Sequence, residues 1–214
     1  MEKTVRHKGE NPERDPRIAF FDGHAARWKE MNPDPESTLK RFDAMKEELA
    51  LAPGCHVLEL GCGPGQYTAW LCQQVHPGRV TATDFSPAMI AEACKQVKLS
   101  AEFMVSDICL EAPGVHSYHT VFCYNAFPHF RDKHRALVNI AKSLKSKGTL
   151  VILHFCSREA LNEMHAHVGG AVEQDFLPDR TQMEELLSQA GFQILEWREG
   201  PELYFVRAGR KQPA

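Results

Sequence analysis

Residues 57–68, Val-Leu-Glu-Leu-Gly-Cys-Gly-Pro-Gly-Gln-Tyr-Thr, constrain the chain more than any other stretch. An apolar strand runs into Glu59, then into a turn built on Gly61, Gly63 and Gly65, then into a helix expected to begin at Gly65. Glycines let a backbone turn tightly and approach a ligand closely. A phosphate-binding G-x-G-x-x-G loop would place glycine at position 66, where this chain has Gln66. Glu59, two residues before the first glycine, would repel a pyrophosphate and welcome a ligand that brings a cation.

At 214 residues one domain is expected, with enough chain for a sizeable core. Hydrophobic content of 43% and charged content of 25% are ordinary globular values, and a formal net charge of −3 gives no pull toward nucleic acid or an anionic membrane. No apolar run reaches the ~20 residues of a membrane span, and the polar start lacks a signal-peptide core. The seven cysteines are an odd number with no C-x-x-C pair, which favours reduced thiols and a cytoplasmic setting.

Residues 1–16 read as a charged, loose arm. An aromatic segment at 17–31 follows, then a break at Pro33 and Pro35. Ser37 is expected to cap a helix with the apolar stripe Leu39, Phe42, Met45 and Leu49. Strands are predicted at 55–60, 79–84, 101–106, 119–125, 148–155, 192–198 and 203–208. Helices fit between most of them. Ser86-Pro87 and Ser157 are helix starts, residues 131–146 have helical apolar spacing, and Thr181 with Glu184 forms a capping box. Alternating strands and helices imply a mostly parallel sheet. Only Arg198 to Glu202 separate the last two strands, so these must pair as an antiparallel hairpin. The expected fold is α/β: a doubly wound, mostly parallel seven-stranded sheet ending in that hairpin, with helices on both faces and an N-terminal helical cap. The expected division is a covering segment at 1–36, a main domain at 37–208 and a tail at 209–214.

The E-L-G-C-G-P-G stretch after a strand resembles motif I of the class I, Rossmann-like methyltransferases, and the terminal hairpin extends the resemblance over about residues 37–208. The resemblance implies S-adenosylmethionine as cofactor, with S-adenosylhomocysteine as product. That cofactor carries an ammonium and a sulfonium and no phosphate, which suits Glu59. Gly61, Cys62, Gly63, Gly65 and Gln66 are then the loop at the methionine moiety. Glu59 receives the ammonium, directly or through water, or orients the loop. Asp84, ending the second strand, is placed to accept both ribose hydroxyls, a role shared with NAD-binding folds. Phe85 and Met89 follow the family's D-x-S-x-x-M pattern, where they pack on the adenine; core filling is the other reading of Met89. Asp107, with Ile108 beside it, matches the acid that accepts from the adenine amino group. Asn125 and Ala126 stand where the family's motif IV places residues beside the sulfonium. Ser146-Lys147-Gly148 depart from the usual proline-glycine turn before the fifth strand.

Methyl transfer is an in-line displacement, and a base matters only where the nucleophile is protonated. Eleven histidines are available. His129, His154 and His165 are the catalytic candidates, with His24 in the aromatic segment and His167 expected to be solvated. His129 has a pocket role or shapes its loop; His165 is a base, a ligand or a core histidine. A second reading makes His154, Cys156, His165 and His129 a metal or metalloid site, although the spacing is not a standard zinc pattern. Phe20, Phe21 and Trp28, with Phe127 and Phe130, form a candidate apolar roof. Phe21 to Trp28 resembles the F-D-x-x-A-x-x-Y/W segment of ubiquinone-biosynthesis-like methyltransferases acting on small molecules. The sequence therefore points to methyl transfer onto a small-molecule acceptor with a heteroatom nucleophile. No metal, nucleic acid or membrane partner is expected, and the protein is read as a monomer or homodimer. A non-catalytic cofactor-binding protein and an NAD(P)-dependent oxidoreductase are the alternatives.

Overall fold

The computed structural model describes residues 5–7, 15–31 and 34–211. The chain divides into two compact units, residues 1–107 and 108–214.

In the first unit, β1 (Val5–His7) precedes helices α1 (Pro16–His24), α2 (Trp28–Met31) and α3 (Pro35–Ala44). Then β2 (His56–Leu60), α4 (Thr68–Val75), β3 (Arg79–Asp84), α5 (Pro87–Gln96) and β4 (Glu102–Val105) alternate. The strand order is β1-β4-β3-β2, all parallel. Each step from β2 to β3 to β4 is a helical crossover, the connection that parallel neighbours require. Val57, Leu58 and Leu60 in β2, and Val80 and Ala82 in β3, are buried. Such near-continuous burial is what parallel strands covered on both faces show.

Part of the segment read as a loose arm pairs with β4, in register Val5 with Phe103 through His7 with Val105. The edge of β4 offers unpaired N–H and C=O groups that an extended segment can meet. The rest of that arm at 1–4 and 8–14, and the break at Pro33, lie outside the described residues. Helix α3 starts earlier than expected: Asp34 is its N-cap and accepts from the Ser37 N–H at 2.9 Å, so Ser37 lies inside the first turn. Phe42 and Leu49 of the expected stripe are buried. Ser86 does cap α5, with Pro87 at its first position. Helix α4 begins at Thr68, because Gly63 and Gly65 adopt left-handed φ of +52° and +78° and hold the chain in turns.

In the second unit the order of elements is β5 (Tyr118–Tyr124), α6 (Lys133–Ser143), β6 (Leu144–His154), α7 (Arg158–Val168), α8 (Arg180–Gln189), β7 (Phe192–Gly200) and β8 (Leu203–Arg210). β5 and β6 are parallel, whereas β8 runs antiparallel to both β6 and β7. The terminal hairpin closes at the expected place, with Gly200 opposite Leu203. Val121 to Cys123 and Leu150 to Leu153 are fully buried and form the core of this unit. β6 starts four residues before its expected beginning, so Ser146-Lys147-Gly148 lie in strand. β8 extends through Arg210, and residues 212–214 lie outside the described ones. The capping box of α8 is Asp179 with Gln182 in place of Thr181 with Glu184. Ser157 caps α7 and Gly169 ends it, as expected.

Candidate active site

The glycine loop of the first unit is held from three sides. The Cys62 N–H bonds the carbonyl of Thr83, and the Gly63 N–H donates to Asp84 Oδ2 at 2.9 Å. The other carboxylate oxygen of Asp84 accepts from the Ser86 N–H, also at 2.9 Å. Asp84 thus ties the loop after β2 to the turn that starts α5. It is nearly buried, and burial pushes its carboxyl up to about 6, with the backbone N–H groups of Ser86 and Gly63 pulling the other way. Gly65 packs directly on α5: a Cβ there would lie 2.7 Å from Val97 Cγ2 and 3.1 Å from Ala93 Cβ. Side-chain-free backbone is required at that point for helix-to-loop packing as well as for φ.

Glu59 is the buried acid of the loop. Its Oε2 accepts from Thr68 Oγ1 at 2.6 Å, which fastens β2 to the first residue of α4. Burial pushes the Glu59 carboxyl up to about 8, opposed by the Thr68 bond and reinforced by the charge of Asp84. A carboxyl in that condition favours any ligand that brings a positive charge. Thr68 was not legible as a partner, since it follows Glu59 by nine positions, across the glycine turn.

The N-terminal aromatic segment packs on the same part of this unit. The Phe21 ring lies 5.5 Å from that of Phe85 and 5.7 Å from that of Trp28. A Cβ on Gly63 would lie 3.8 Å from Trp28 Nε1, so the indole sits over the loop. Asp22 Oδ1 accepts from Ser86 Oγ at 2.6 Å and from the Ala88 N–H at 3.2 Å, capping α5 from another segment of chain. Met89 is 1% exposed, which fits core filling, while Phe85 keeps partial exposure. Cys62 is buried, and burial raises its thiol well above the usual range. Gly61 and Gln66 are half-buried in the loop, and Asp107 is half-buried two residues past β4. His24 bonds the Phe20 carbonyl in its own helix and stacks on Phe20.

Ile108, Asn125 and Ala126 belong to the second unit. Ile108 is buried and its carbonyl accepts from Asn139 Nδ2 at 2.8 Å. Asn125 is exposed directly after β5, with φ of +52°. Asparagine tolerates this left-handed backbone, and such outliers concentrate at functional sites. Ala126 is buried, and Phe127 and Phe130 form an edge-on pair with ring centres 5.5 Å apart.

The three candidate catalytic histidines of the second unit come together. The rings of His129 and His165 are 4.9 Å apart. His154, at the end of β6, is 1% exposed, and neither ring nitrogen has a hydrogen-bond partner among the described residues. Burial, then the neighbouring His129 and His165, push His154 down to about 3. Burial and His129 also lower His165. Asp175, in the loop before α8, carried no sequence signal and sits among them: its Oδ2 lies 2.8 Å from His129 Nδ1, and its main-chain oxygen bonds His165 Nδ1. Asn162 of α7 brackets Leu177 by both backbone groups and so fixes this loop. Met164, next to His165 on α7, is 49% exposed. His167 is exposed, as expected. Among the described residues no group of three or more His, Cys, Asp or Glu is arranged to hold a metal ion, so the metal reading gains no support.

Residues 57–148 match the methyltransferase domain family, a span that opens in β2 and contains the glycine loop, Asp84 and Asn125. A chain from the complex between the Haloferax volcanii Trm112 methyltransferase activator and a candidate methyltransferase superposes with a TM-score of 0.75. It covers 91% of this chain and 97% of that one at 21% identity. The chain has the class I methyltransferase fold. An S-adenosylmethionine-dependent methyltransferase from Aquifex aeolicus shares this methyltransferase fold, with a TM-score of 0.63 over 83% of this chain and 89% of that one, at 21% identity. Among curated proteins, trans-aconitate 2-methyltransferase of Escherichia coli is 28% identical over 151 residues, 67% of this chain and 58% of its own length. Malonyl-[acyl-carrier protein] O-methyltransferase of Priestia megaterium is 29% identical over 158 residues, 68% of this chain and 55% of its own length. The chain thus spans less than two thirds of these methyltransferases. No helix among the described residues is long and apolar enough to cross a membrane.

Proposed function

We propose that this protein transfers a methyl group from S-adenosylmethionine to a small-molecule acceptor, releasing S-adenosylhomocysteine. The observation that carries the reading is the loop after β2, pinned by Asp84 and backed by a buried, cation-seeking Glu59. A dinucleotide phosphate gains nothing from that acid, and Gln66 stands where a phosphate loop has glycine, which sets the oxidoreductase alternative aside. In this reading Glu59, Gly61, Cys62, Gly63, Gly65 and Gln66 hold the methionine moiety and Asp84 the ribose. Phe85, Asp107 and Ile108 surround the adenine, with Met89 filling the core, and Asn125 and Ala126 lie beside the sulfonium. His129, His154 and His165 serve the acceptor. The aromatic segment from Pro16 to Met31 covers the cofactor, and the methyltransferase domain runs on to the end of β8 at Arg210. The aromatic segment over the glycine loop favours a small acceptor over a macromolecule, and trans-aconitate, in the name of one curated relative, is such a molecule. A cytoplasmic monomer or homodimer is the setting that fits this chemistry.

Equilibrium binding of S-adenosylhomocysteine and of NADH to the full chain tests the cofactor assignment. Tight binding of the first, undisturbed by an excess of NADH, is expected. Binding of NADH with none of S-adenosylhomocysteine would refute it.

A further inference from the structure

Asp175 uses two different oxygens to hold two histidines. It is 1% exposed, with Oδ2 2.8 Å from His129 Nδ1 and its main-chain carbonyl on His165 Nδ1. A carbonyl can only accept, so the His165 Nδ1 carries the proton and its lone pair sits on Nε2. A carboxylate accepts in the same way, which gives His129 the same tautomer. One loop residue therefore imposes a single protonation pattern on two rings 4.9 Å apart.

The two rings are not equivalent. A carboxylate behind an imidazole stabilises the imidazolium; a main-chain carbonyl does so less. Lys133, whose Nζ bonds the carbonyls of Pro128 and Phe130, adds positive charge that disfavours a proton on His165. Among the described residues, Asp175, His154, His165 and Lys133 are charged or titratable groups near His129, and Asp175 is an acid that meets its Nδ1. His154 adds buried ring nitrogens without protein partners, which a bound polar atom would satisfy.

We infer that Asp175 is a positioning residue that readies His129 to deprotonate an acceptor hydroxyl or thiol, with His154 supplying a polar contact to that acceptor. The inference rests on the methyl-transfer reading. The acceptor's O–H or S–H proton passes to His129 Nε2. The freed electron pair forms the bond to the methyl carbon, and the carbon–sulfur bond of the cofactor breaks with its electrons returning to sulfur. The imidazolium then gives its proton to water. A carboxylate acceptor, already ionised at neutral pH, would need none of this.

The test has two arms on the full-length protein. Long-range proton–nitrogen correlation NMR reads the tautomers of His129 and His165, expected to be Nδ1–H in both. In Asp175→Asn the His129 pattern should change while that of His165, held by a main-chain carbonyl, persists. An Nε2–H tautomer at His129 in the native protein overturns the inference whatever the activity.

The second arm offers a panel of small thiols, phenols and carboxylic acids with methyl-labelled S-adenosylmethionine. Transfer to a thiol or phenol is expected, with an acidic limb in kcat. Asp175→Asn should lower kcat by at least about tenfold with little change in KM. His129→Gln should lower kcat as far and abolish the limb. Transfer confined to carboxylic acids with a pH-independent rate would overturn the inference and leave the methyl-transfer reading intact. Binding of S-adenosylhomocysteine, retained in both variants, separates these outcomes from misfolding and from failure of that reading.

Discussion

The N–H of Gly63 donates to the carboxylate of Asp84 at 2.9 Å, across 21 residues of chain. This bond makes the glycine loop and the end of β3 one rigid feature. The same carboxylate is the candidate for the ribose, so its loss should be felt twice. Asp84→Asn keeps the shape but removes the charge. It is expected to weaken S-adenosylhomocysteine binding by about 1.5–3 kcal/mol, a rise in Kd of about 10- to 150-fold by calorimetry. Unchanged affinity would show that Asp84 serves the loop alone.

Glu59 should trade stability for binding. Its carboxyl, ordinarily near 4.5, is held at about 8. The folded state therefore keeps a proton that the unfolded chain releases, and stability falls as pH rises from about 4.5 through about 8. Glu59→Gln preserves an acceptor for the Thr68 hydroxyl without the buried charge. It should flatten this decline and stabilise the ligand-free protein at pH 8 by on the order of 1–3 kcal/mol, while weakening S-adenosylhomocysteine binding. Thermal melts across pH 5–9 read the first effect. A variant less stable than the native protein at pH 8 would contradict the account.

The opposite slope belongs to His154, held at about 3 by burial and by its histidine neighbours. A lowered imidazole means the unfolded chain takes a proton that the folded one refuses. Stability from this residue is present above about 6.5 and is lost as pH falls toward about 3. His154→Leu should shallow the acid limb of a stability–pH curve by up to one proton, measured by urea unfolding at pH 4–7.

Gly65 offers a packing test independent of any ligand. A methyl group there meets Val97 Cγ2 at 2.7 Å on a backbone with φ of +78°. Gly65→Ala should cost about 1–3 kcal/mol of unfolding free energy. Adding Val97→Ala should recover the steric part and leave the backbone strain, so the double variant should melt between the native protein and Gly65→Ala.

Much of this was legible in the chain because the signals are local. Ser86-Pro87 and Ser157 start helices whose caps are made within three residues. Two strands joined by too few residues for a crossover can only form a hairpin, and β7 and β8 do. Where two local signals competed, the choice went astray by a few positions. Asp34 outcompeted Ser37 and Asp179–Gln182 replaced Thr181–Glu184, since an aspartate caps as well as a hydroxyl and glutamine closes the box as well as glutamate. His129 and His154 were found from their places at or after strand ends, and His165 from its place on the following helix. Asp175 was out of reach: it meets His129 across 46 residues, through a loop without periodicity. The Thr68 bond to Glu59 was hidden for the same reason, because it depends on how the glycine turns aim α4.

Transfer of label from methyl-labelled S-adenosylmethionine into a fractionated metabolite extract, with mass spectrometry of the product, tests the central claim most directly. The account predicts one labelled small molecule, formed with stoichiometric S-adenosylhomocysteine, and its sharp reduction in Asp84→Asn. Label appearing only in the macromolecular fraction, or no labelled product despite tight binding of S-adenosylhomocysteine, would contradict it.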